Sequence, residues 1–342
     1  MKMLRVGFLG TGWIAGTYAK SLAKLPGVQI TALCNRQIQK AEAFSNTYAG
    51  GTAQCYGNFD QMLAKEKLDA LFVCLFPGAH DGQVEKAAAK GIHLLLEKPI
   101  ALTQDRADSM KVAIKKAGVQ CTIGFQMRHT APSRKLKQML IDGSAGRPLM
   151  MQGRFFVNGL FPKWWRDPNL GGGQLIEQSI HVYDMARYFL GEAKTVVGFK
   201  DMLFHHRFED YKVDDVSAAT IRFQNNAVAS LCASNCADPT AGSVLATVLC
   251  EKVAVEFRSP DDATFVYHDG QVGDEIKDRA NVKREDVKTD THSSFDELTR
   301  NFLAAIRGEE PTRSTIDDGV ESLRLVLAVG RSSDEGGAPQ RV

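Results

Sequence analysis

Three polar residues at helical spacing, Glu177, His181 and Asp184, follow the run Gly171-Gly172-Gly173. Positions i, i+4 and i+7 share one face of an α-helix, so a helix over 174–190 would bring both carboxylates to the imidazole. A carboxylate one turn from a histidine orients the ring and raises its basicity, which gives a proton-exchanging pair near neutral pH. The plainer alternative is a polar helix edge with ordinary i,i+4 pairs. Zinc is disfavoured, because one imidazole and two carboxylates lack a second nitrogen or sulfur ligand.

A second chemical feature opens the chain. Gly10-Thr11-Gly12-Trp13-Ile14-Ala15 fits G-x-G-x-x-A directly after a strand pattern and before a helical one. Gly10 permits the tight turn, Gly12 lets backbone N–H groups approach a pyrophosphate, and Ala15 keeps the helix close to the strand. Gly10, Gly12, Trp13 and Ile14 therefore form the expected start of a dinucleotide site; a tight turn without a ligand is the alternative. At the end of the second strand, where a carboxylate would accept the adenosine ribose hydroxyls of NAD, stand Asn35 and Arg36. With no carboxylate to repel a 2′-phosphate, and a guanidinium to pair with it or stack on adenine, NADP is the preferred cofactor and NAD the second candidate. Arg36 as a solvated loop side chain is the competing reading.

Glu97-Lys98-Pro99 closes the fourth strand pattern, at the carboxyl edge where open α/β sheets place ligands. A lysine there, its pKa lowered by a positive nicotinamide ring, can help remove an alcohol proton during hydride transfer. An ion pair with Glu97 is the structural alternative. Pro99 restricts Lys98 to extended backbone and is compatible with a cis bond.

The elements that must position these groups fall into two grammars. Up to about residue 124, short apolar runs at 4–9, 28–34, 69–75, 93–97 and 119–125 alternate with helical stretches such as 37–48 and 81–90. This is the pattern of a doubly wound parallel sheet. Beyond it, strand runs follow one another at 149–157, 196–203, 216–223, 227–234, 244–249, 253–257 and 264–268, some separated by turns such as Asn225-Asn226 and Asp269-Gly270. Helices are expected at 131–141, 174–190, 295–306 and 317–329. The fold class is thus α/β followed by α+β: a doubly wound domain over 1–124 and a second domain over 125–342 built on a mostly antiparallel sheet. The mixed-charge stretch 273–291 reads as a solvated loop.

Composition narrows the partners. The chain has 342 residues, 42 Lys+Arg against 40 Asp+Glu, and 44% hydrophobic residues. A net charge of +2 gives no field to hold nucleic acid. The seven cysteines lie mostly in apolar runs and read as reduced core thiols, Cys232 and Cys236 lack zinc spacing, and no metal is expected. The N-terminus runs straight into a strand with no signal core, and no stretch has the length of a membrane span, so a cytoplasmic location is expected.

Together these residues resemble the Gfo/Idh/MocA family, the relatives of glucose-fructose oxidoreductase and inositol dehydrogenase. The resemblance rests on the Gly10 motif, Pro77 followed by His80, Gly91-Ile92-His93 leading to Glu97-Lys98-Pro99, Gly124-Phe125 with Arg128, and the glycine-rich start of the His181 helix. It implies an N-terminal Rossmann dinucleotide-binding domain, a C-terminal domain with an open sheet through which a homodimer or homotetramer forms, and hydride transfer at a secondary carbon of a sugar, polyol or related cyclic compound. Lys98 looks like the family's catalytic lysine, His181 like its catalytic histidine, and Asp184 matches the carboxylate after it. Glu177 stands where the family usually has Asp, which leaves open whether it touches substrate or orients His181. Pro77, His80, Glu97, Lys98 and Gln126 join the cofactor-binding set. Arg128, Trp165 and Arg166 join Lys98, Glu177 and His181 on the substrate side, where an indole can stack on a sugar ring and a guanidinium can bind hydroxyls. The tryptophans Trp164 and Trp165 have a plainer alternative, pinning their loop to the core. His205, His206 and His292 read as solvated. The sequence reading is an NAD(P)-dependent dehydrogenase or ketone reductase of sugars or polyols. Its rivals are a cofactor-binding metabolite sensor without turnover and a reductase of a dihydrodiol- or tetrapyrrole-type substrate.

Overall fold

The computed structural model describes residues 3–276, 279, 282–289 and 293–342. The chain divides into two compact units, one running to Gln126 and taking in Phe295–Val320, the other made of Met127–Ser294 and Glu321–Val342.

The first unit carries a six-stranded parallel sheet of β1 (Leu4–Leu9), β2 (Val28–Cys34), β3 (Gln54–Tyr56), β4 (Ala70–Val73), β5 (His93–Leu96) and β6 (Cys121–Ile123), in the order β3-β2-β1-β4-β5-β6. The connections run through α1 (Trp13–Leu22), α2 (Ile38–Tyr48), α3 (Phe59–Lys65), α4 (Gln83–Ala89) and α5 (Gln104–Ala117). All four residues of β4 are buried, as expected where helices cover both faces of a parallel sheet. Helix starts follow local chemistry: the side chains of Asn58 and Thr103 accept from the Gln61 and Arg106 backbone N–H groups at α3 and α5. The three-residue β3 is absent from the sequence reading, being too short and too polar to show a strand pattern.

The second unit contains α6 (Ala131–Ile141), α7 (Ile180–Leu190) and nine strands. These are β7 (Pro148–Phe156), β8 (Ala193–Asp201), β9 (Val216–Phe223), β10 (Val228–Ser234), β11 (Ser243–Cys250), β12 (Val253–Ser259), β13 (Asp262–Tyr267), β14 (Arg284–Lys288) and β15 (Gln340–Arg341). Their order is β14-β13-β12-β11-β7-β10-β9-β8-β15, antiparallel except for the parallel pair β7 and β10. In β9, Ser217, Ala219, Ile221 and Phe223 are buried while Ala218, Thr220 and Arg222 are exposed, the alternation of a sheet covered on one face. The stretch expected as a solvated loop holds β14. Its sequence Arg-Glu-Asp-Val-Lys shows no apolar alternation, because an edge strand can be built from charges. Glu285 pairs with Lys135, and Asp286 with Arg258. His292 lies outside the described residues.

Two helices, α8 (Ser293–Arg307) and α9 (Ile316–Asp334), precede β15. Leu298, Phe302 and Leu303 of α8 belong to the core of the first unit, with Val6, Phe8, Phe72 and Tyr18; the Phe72 and Phe302 rings meet edge-on at 5.5 Å. A single cut after residue 124 therefore separates α8 from the sheet it covers. No local pattern reveals this, since an amphipathic helix does not name its partner.

Candidate active site

In the first unit the chain leaves β1 at Gly10, whose N–H donates to Cys34 O on β2. Gly10 has φ +89°, and a Cβ there would lie 2.4 Å from Cys74 O, so only glycine fits. A Cβ on Gly12, at the start of α1, would meet open space. The first turn of α1 carries no acidic residue, and its leading N–H groups have no partner within the helix. These residues fit a pyrophosphate. Ala15 is fully buried, as close packing of helix on strand requires, Ile14 is half-buried and Trp13 stands out into solvent.

The Asn35 side chain is engaged: Nδ2 donates to Thr11 Oγ1 at 2.8 Å, and Oδ1 accepts from the Gln37 N–H at 3.0 Å. It ties the end of β2 to the glycine loop. Arg36 beside it is exposed. Pro77 and His80 are buried beyond β4, and Gln126 is half-buried. Burial, with a smaller push from the Arg106 guanidinium, holds the His80 imidazole down to about 4, against a weaker opposing pull from Glu85. Its ring is therefore neutral at pH 7, and neither nitrogen has a hydrogen-bond partner among the described residues. Glu97 is buried, its Oε1 accepting from the Tyr18 hydroxyl at 2.5 Å and its Oε2 from the Lys98 backbone N–H at 3.2 Å. Lys98 is half-buried just past β5, and the Lys98–Pro99 bond is cis.

In the second unit the helix expected over 174–190 is two pieces. Gln174–Gln178 is a π-helical turn, with the Ser179 N–H donating to Gln174 O, and α7 follows. The wider turn begins at Gly173, φ +82°, where a Cβ would lie 2.5 Å from Val213 Cβ. Asp214 next to it accepts from the Leu175 N–H at 2.8 Å. The Glu177 carboxylate accepts from the Trp165 indole N–H at 2.7 Å. Trp165 is 2% exposed, stacked on Phe161 at 4.7 Å and packed with Tyr211 and Val213. It presents no face to a sugar ring; pinning the loop, the plainer reading, describes its surroundings. Arg166 is likewise spent on the fold: Nε donates to the Leu160 and Phe161 carbonyls, and Nη1 to both Asp210 oxygens at 2.9 Å.

His181 is buried with its ring stacked against Phe155 at 6.2 Å between centroids. Asp184 lies one turn on, gripped by Arg128 in a bidentate pair of two 2.7 Å bonds. The two side chains are 3% and 1% exposed. Asp184 Oδ1 also accepts from the Ser322 hydroxyl, which in turn accepts from Arg187 Nη1, each at 2.8 Å. The Arg128 guanidinium sits 4.7 Å over the Tyr188 ring. With its fork closed on Asp184, Arg128 is turned into the core, away from the substrate role expected of it.

Several contributors escape sequence reading. Tyr18 falls among apolar positions of α1 and reads as core. Ser322 and Arg187 show no motif. Asp214 is pushed up to about 6, chiefly by burial, against the opposing Lys200 charge and backbone hydrogen bonds. His205, expected in solvent, is buried: its ring stacks on Tyr211 at 4.6 Å and Nδ1 lies 3.2 Å from Asp215. The apolar neighbours Phe204 and Phe208 were the available signal. His206 is exposed as expected. Among the described residues no group of three or more His, Cys, Asp or Glu is arranged to hold a metal, and no helix is long and apolar enough to cross a membrane.

A parallel sheet with an open glycine turn at its first crossover, a lysine at its carboxyl edge, and a second α/β unit bearing a histidine helix define the class of nucleotide-dependent oxidoreductases. The chain belongs to the Gfo/Idh/MocA oxidoreductase family: residues 4–125 match its NAD-binding Rossmann fold and residues 137–340 its C-terminal alpha/beta domain. It is 27% identical over 233 residues to scyllo-inositol 2-dehydrogenase (NAD(+)) of Bacillus subtilis (strain 168), covering 68% of this chain and 67% of that protein. To 1,5-anhydro-D-fructose reductase of Ensifer adhaerens it is 23% identical, covering 99% and 98%. Among solved structures, levoglucosan dehydrogenase in complex with NADH and levoglucosan superposes with a TM-score of 0.90 at 18% identity, covering 100% of this chain and 99% of that one.

Proposed function

We propose that this oxidoreductase transfers hydride between a nicotinamide cofactor, preferentially NADP, and a secondary alcohol or ketone carbon of a sugar, polyol or related cyclic compound. The observation that carries the reading is Lys98, held at the carboxyl edge of β5 in a unit whose glycine turn leaves open space for a pyrophosphate. The bound cofactor supplies or takes the hydride. Lys98 and His181 are the acid/base residues that hold and move the hydroxyl proton. The Arg128–Asp184 pair and the Trp165–Glu177 bond are positioning contacts beneath the His181 helix. Gly10, Gly12, Trp13, Ile14, Pro77, His80 and Gln126 form the cofactor side, with Glu97 behind Lys98.

The NADP preference is supported by the Asn35 amide, already engaged by Thr11 and Gln37, and by the exposed Arg36 guanidinium beside it. A charge-assisted contact to a 2′-phosphate is worth about 1.5–3 kcal/mol, or roughly 10- to 150-fold in affinity. Assembly as a homodimer or homotetramer through the open sheet is supported by the outward Phe199 and Leu249, and a cytoplasmic location by seven free cysteines.

The test is a panel of inositols, glucosides and anhydro-sugars with each oxidised cofactor, and of the corresponding ketones with each reduced one, following reduced-nicotinamide absorbance. Dissociation constants of NADP and NAD are measured at fixed salt. Turnover of at least one panel member with tighter NADP binding is expected. Cofactor binding without any turnover would favour a metabolite sensor, and tighter NAD binding would remove the NADP preference.

A further inference from the structure

We propose that Tyr18 is a positioning residue for Lys98, acting through the Glu97 carboxylate; this rests on the reading of Lys98 as an acid/base residue. Tyr18 lies on the buried face of α1 with Ala15, Ala19 and Leu22. Its ring packs 5.4 Å from Phe72 and edge-on to Phe295 at 5.7 Å. Packing alone would be met by phenylalanine, and a buried hydroxyl costs free energy unless it finds a partner. Here the hydroxyl donates to Glu97 Oε1, and the other oxygen of the same carboxylate accepts from the Lys98 backbone N–H. One carboxylate thus couples the helix that follows the glycine turn to the main chain of Lys98.

The surroundings keep this link in one state. Burial first, then the adjacent Glu97 charge, hold the Tyr18 phenol well above its ordinary range, so it remains a donor at every working pH. Cys74, which also faces Glu97, is pushed up by burial and by the same charge, so its thiol stays neutral. Gly124 leaves the space that the pair occupies: a Cβ there would lie 2.7 Å from Glu97 Oε1 and 3.1 Å from Tyr18 Oη. A donor on one carboxylate oxygen draws charge from the carboxylate and fixes its orientation, and with it the electrostatic surroundings of the lysine.

The experiment compares wild type with Tyr18→Phe, Gly124→Ala and Glu97→Gln as full-length proteins, with and without NADP. Competitive acetylation at fixed pH, read lysine by lysine by mass spectrometry, reports Lys98 without needing a substrate. Tyr18→Phe removes the donor that fixes the Glu97 carboxylate, changes the charge facing Lys98, and slows Lys98 acetylation about threefold while the other lysines hold their rates. Gly124→Ala, which crowds the same Oε1 and the Tyr18 hydroxyl bonded to it, should act in the same sense. Glu97→Gln, which removes the charge, should speed Lys98 acetylation. With a substrate from the panel, Tyr18→Phe lowers kcat about tenfold with the cofactor dissociation constant within about twofold. An unchanged or faster Lys98 rate in folded Tyr18→Phe, or in folded Gly124→Ala should the first fail to fold, overturns the proposal. So does a loss of kcat that only tracks weakened cofactor binding. Failure of the whole panel overturns the dehydrogenase reading and leaves the acetylation result to decide Tyr18.

Discussion

Lys98 and His181 rest on supports of different kinds. Beneath Lys98 a single buried carboxylate is held by a tyrosine hydroxyl and a backbone N–H. On the next turn of the helix that carries His181, a buried guanidinium closes on Asp184 through two bonds, and Ser322 and Arg187 extend the chain of contacts. Removing one partner of a buried ion pair strands a charge at about 3–5 kcal/mol, whereas losing one donor to a carboxylate that keeps others costs less, about 1.5–3 kcal/mol. Side chains under the lysine should therefore tune chemistry, and those along the histidine helix should hold structure.

The strongest test of that contrast pairs Lys98→Met with Asp184→Asn. Lys98→Met should lower kcat by about 10²–10⁴ with little change in unfolding temperature or cofactor affinity. Asp184→Asn should cost about 3–5 kcal/mol in urea unfolding, because Arg128 is left charged and uncompensated. If Asp184→Asn unfolds like wild type while losing activity, Asp184 acts in the chemistry and the contrast fails.

A somewhat smaller effect sharpens the comparison through pH. His80 in the first unit is held down to about 4 by burial, against an ordinary value of 6.5. Below pH 6.5 the unfolded chain takes up a proton that the folded ring refuses, so stability falls as pH drops from about 6.5 to 4. Asp214 in the second unit is pushed up to about 6 from 3.8, again by burial. Between those values the folded carboxyl keeps a proton that the unfolded chain has released, so stability falls as pH rises. Each is worth about 3 kcal/mol across its window, at about 1.4 kcal/mol per pKa unit, and the slopes oppose. Urea unfolding at stepped pH should show a steeper loss toward acid in Asp214→Asn and a reversed slope in His80→Phe. Slopes that stay as in wild type would remove both assignments.

The smallest predicted effect lies at Trp165→Phe, which keeps the ring stacked on Phe161 but removes the N–H donated to Glu177. Stability should fall by about 1.5–3 kcal/mol, the range for a hydrogen bond to a charged group. If Glu177 only orients neighbours, KM should stay within about twofold; a larger rise in KM would assign it direct contact with substrate.

Much of this framework is legible in the sequence because its signals are local. Gly10 and Gly12 sit between a strand and a helix, Lys98 ends a strand, and β1, β2 and β9 begin and end where their apolar runs do. The illegible parts depend on partners distant in sequence. Arg128 and Asp184 each look like site residues, and only the fold shows that they satisfy one another. Trp165 reads equally as a sugar platform and as a loop pin until Tyr211 and Val213 are seen around it. The π turn before α7 is set by Gly173 and Asp214, neither of which disturbs the i, i+4 pattern that suggests one continuous helix.

The use of α8 to finish the core of the first unit has a consequence for biosynthesis. Phe8 and Phe72 leave the ribosome early, but Leu298, Phe302 and Leu303 emerge only after nearly all of the second unit has been made. At roughly 5–20 residues per second that delay is on the order of 10 s, long for an uncovered apolar sheet face in a crowded cell. The N-terminal unit therefore does not follow the usual order in which the first domain folds while the next is still being translated. Nascent chains stalled before residue 295 should be the ones that recruit chaperones, and a fragment ending at Gln126 should need the α8 segment supplied as a peptide to stay in solution.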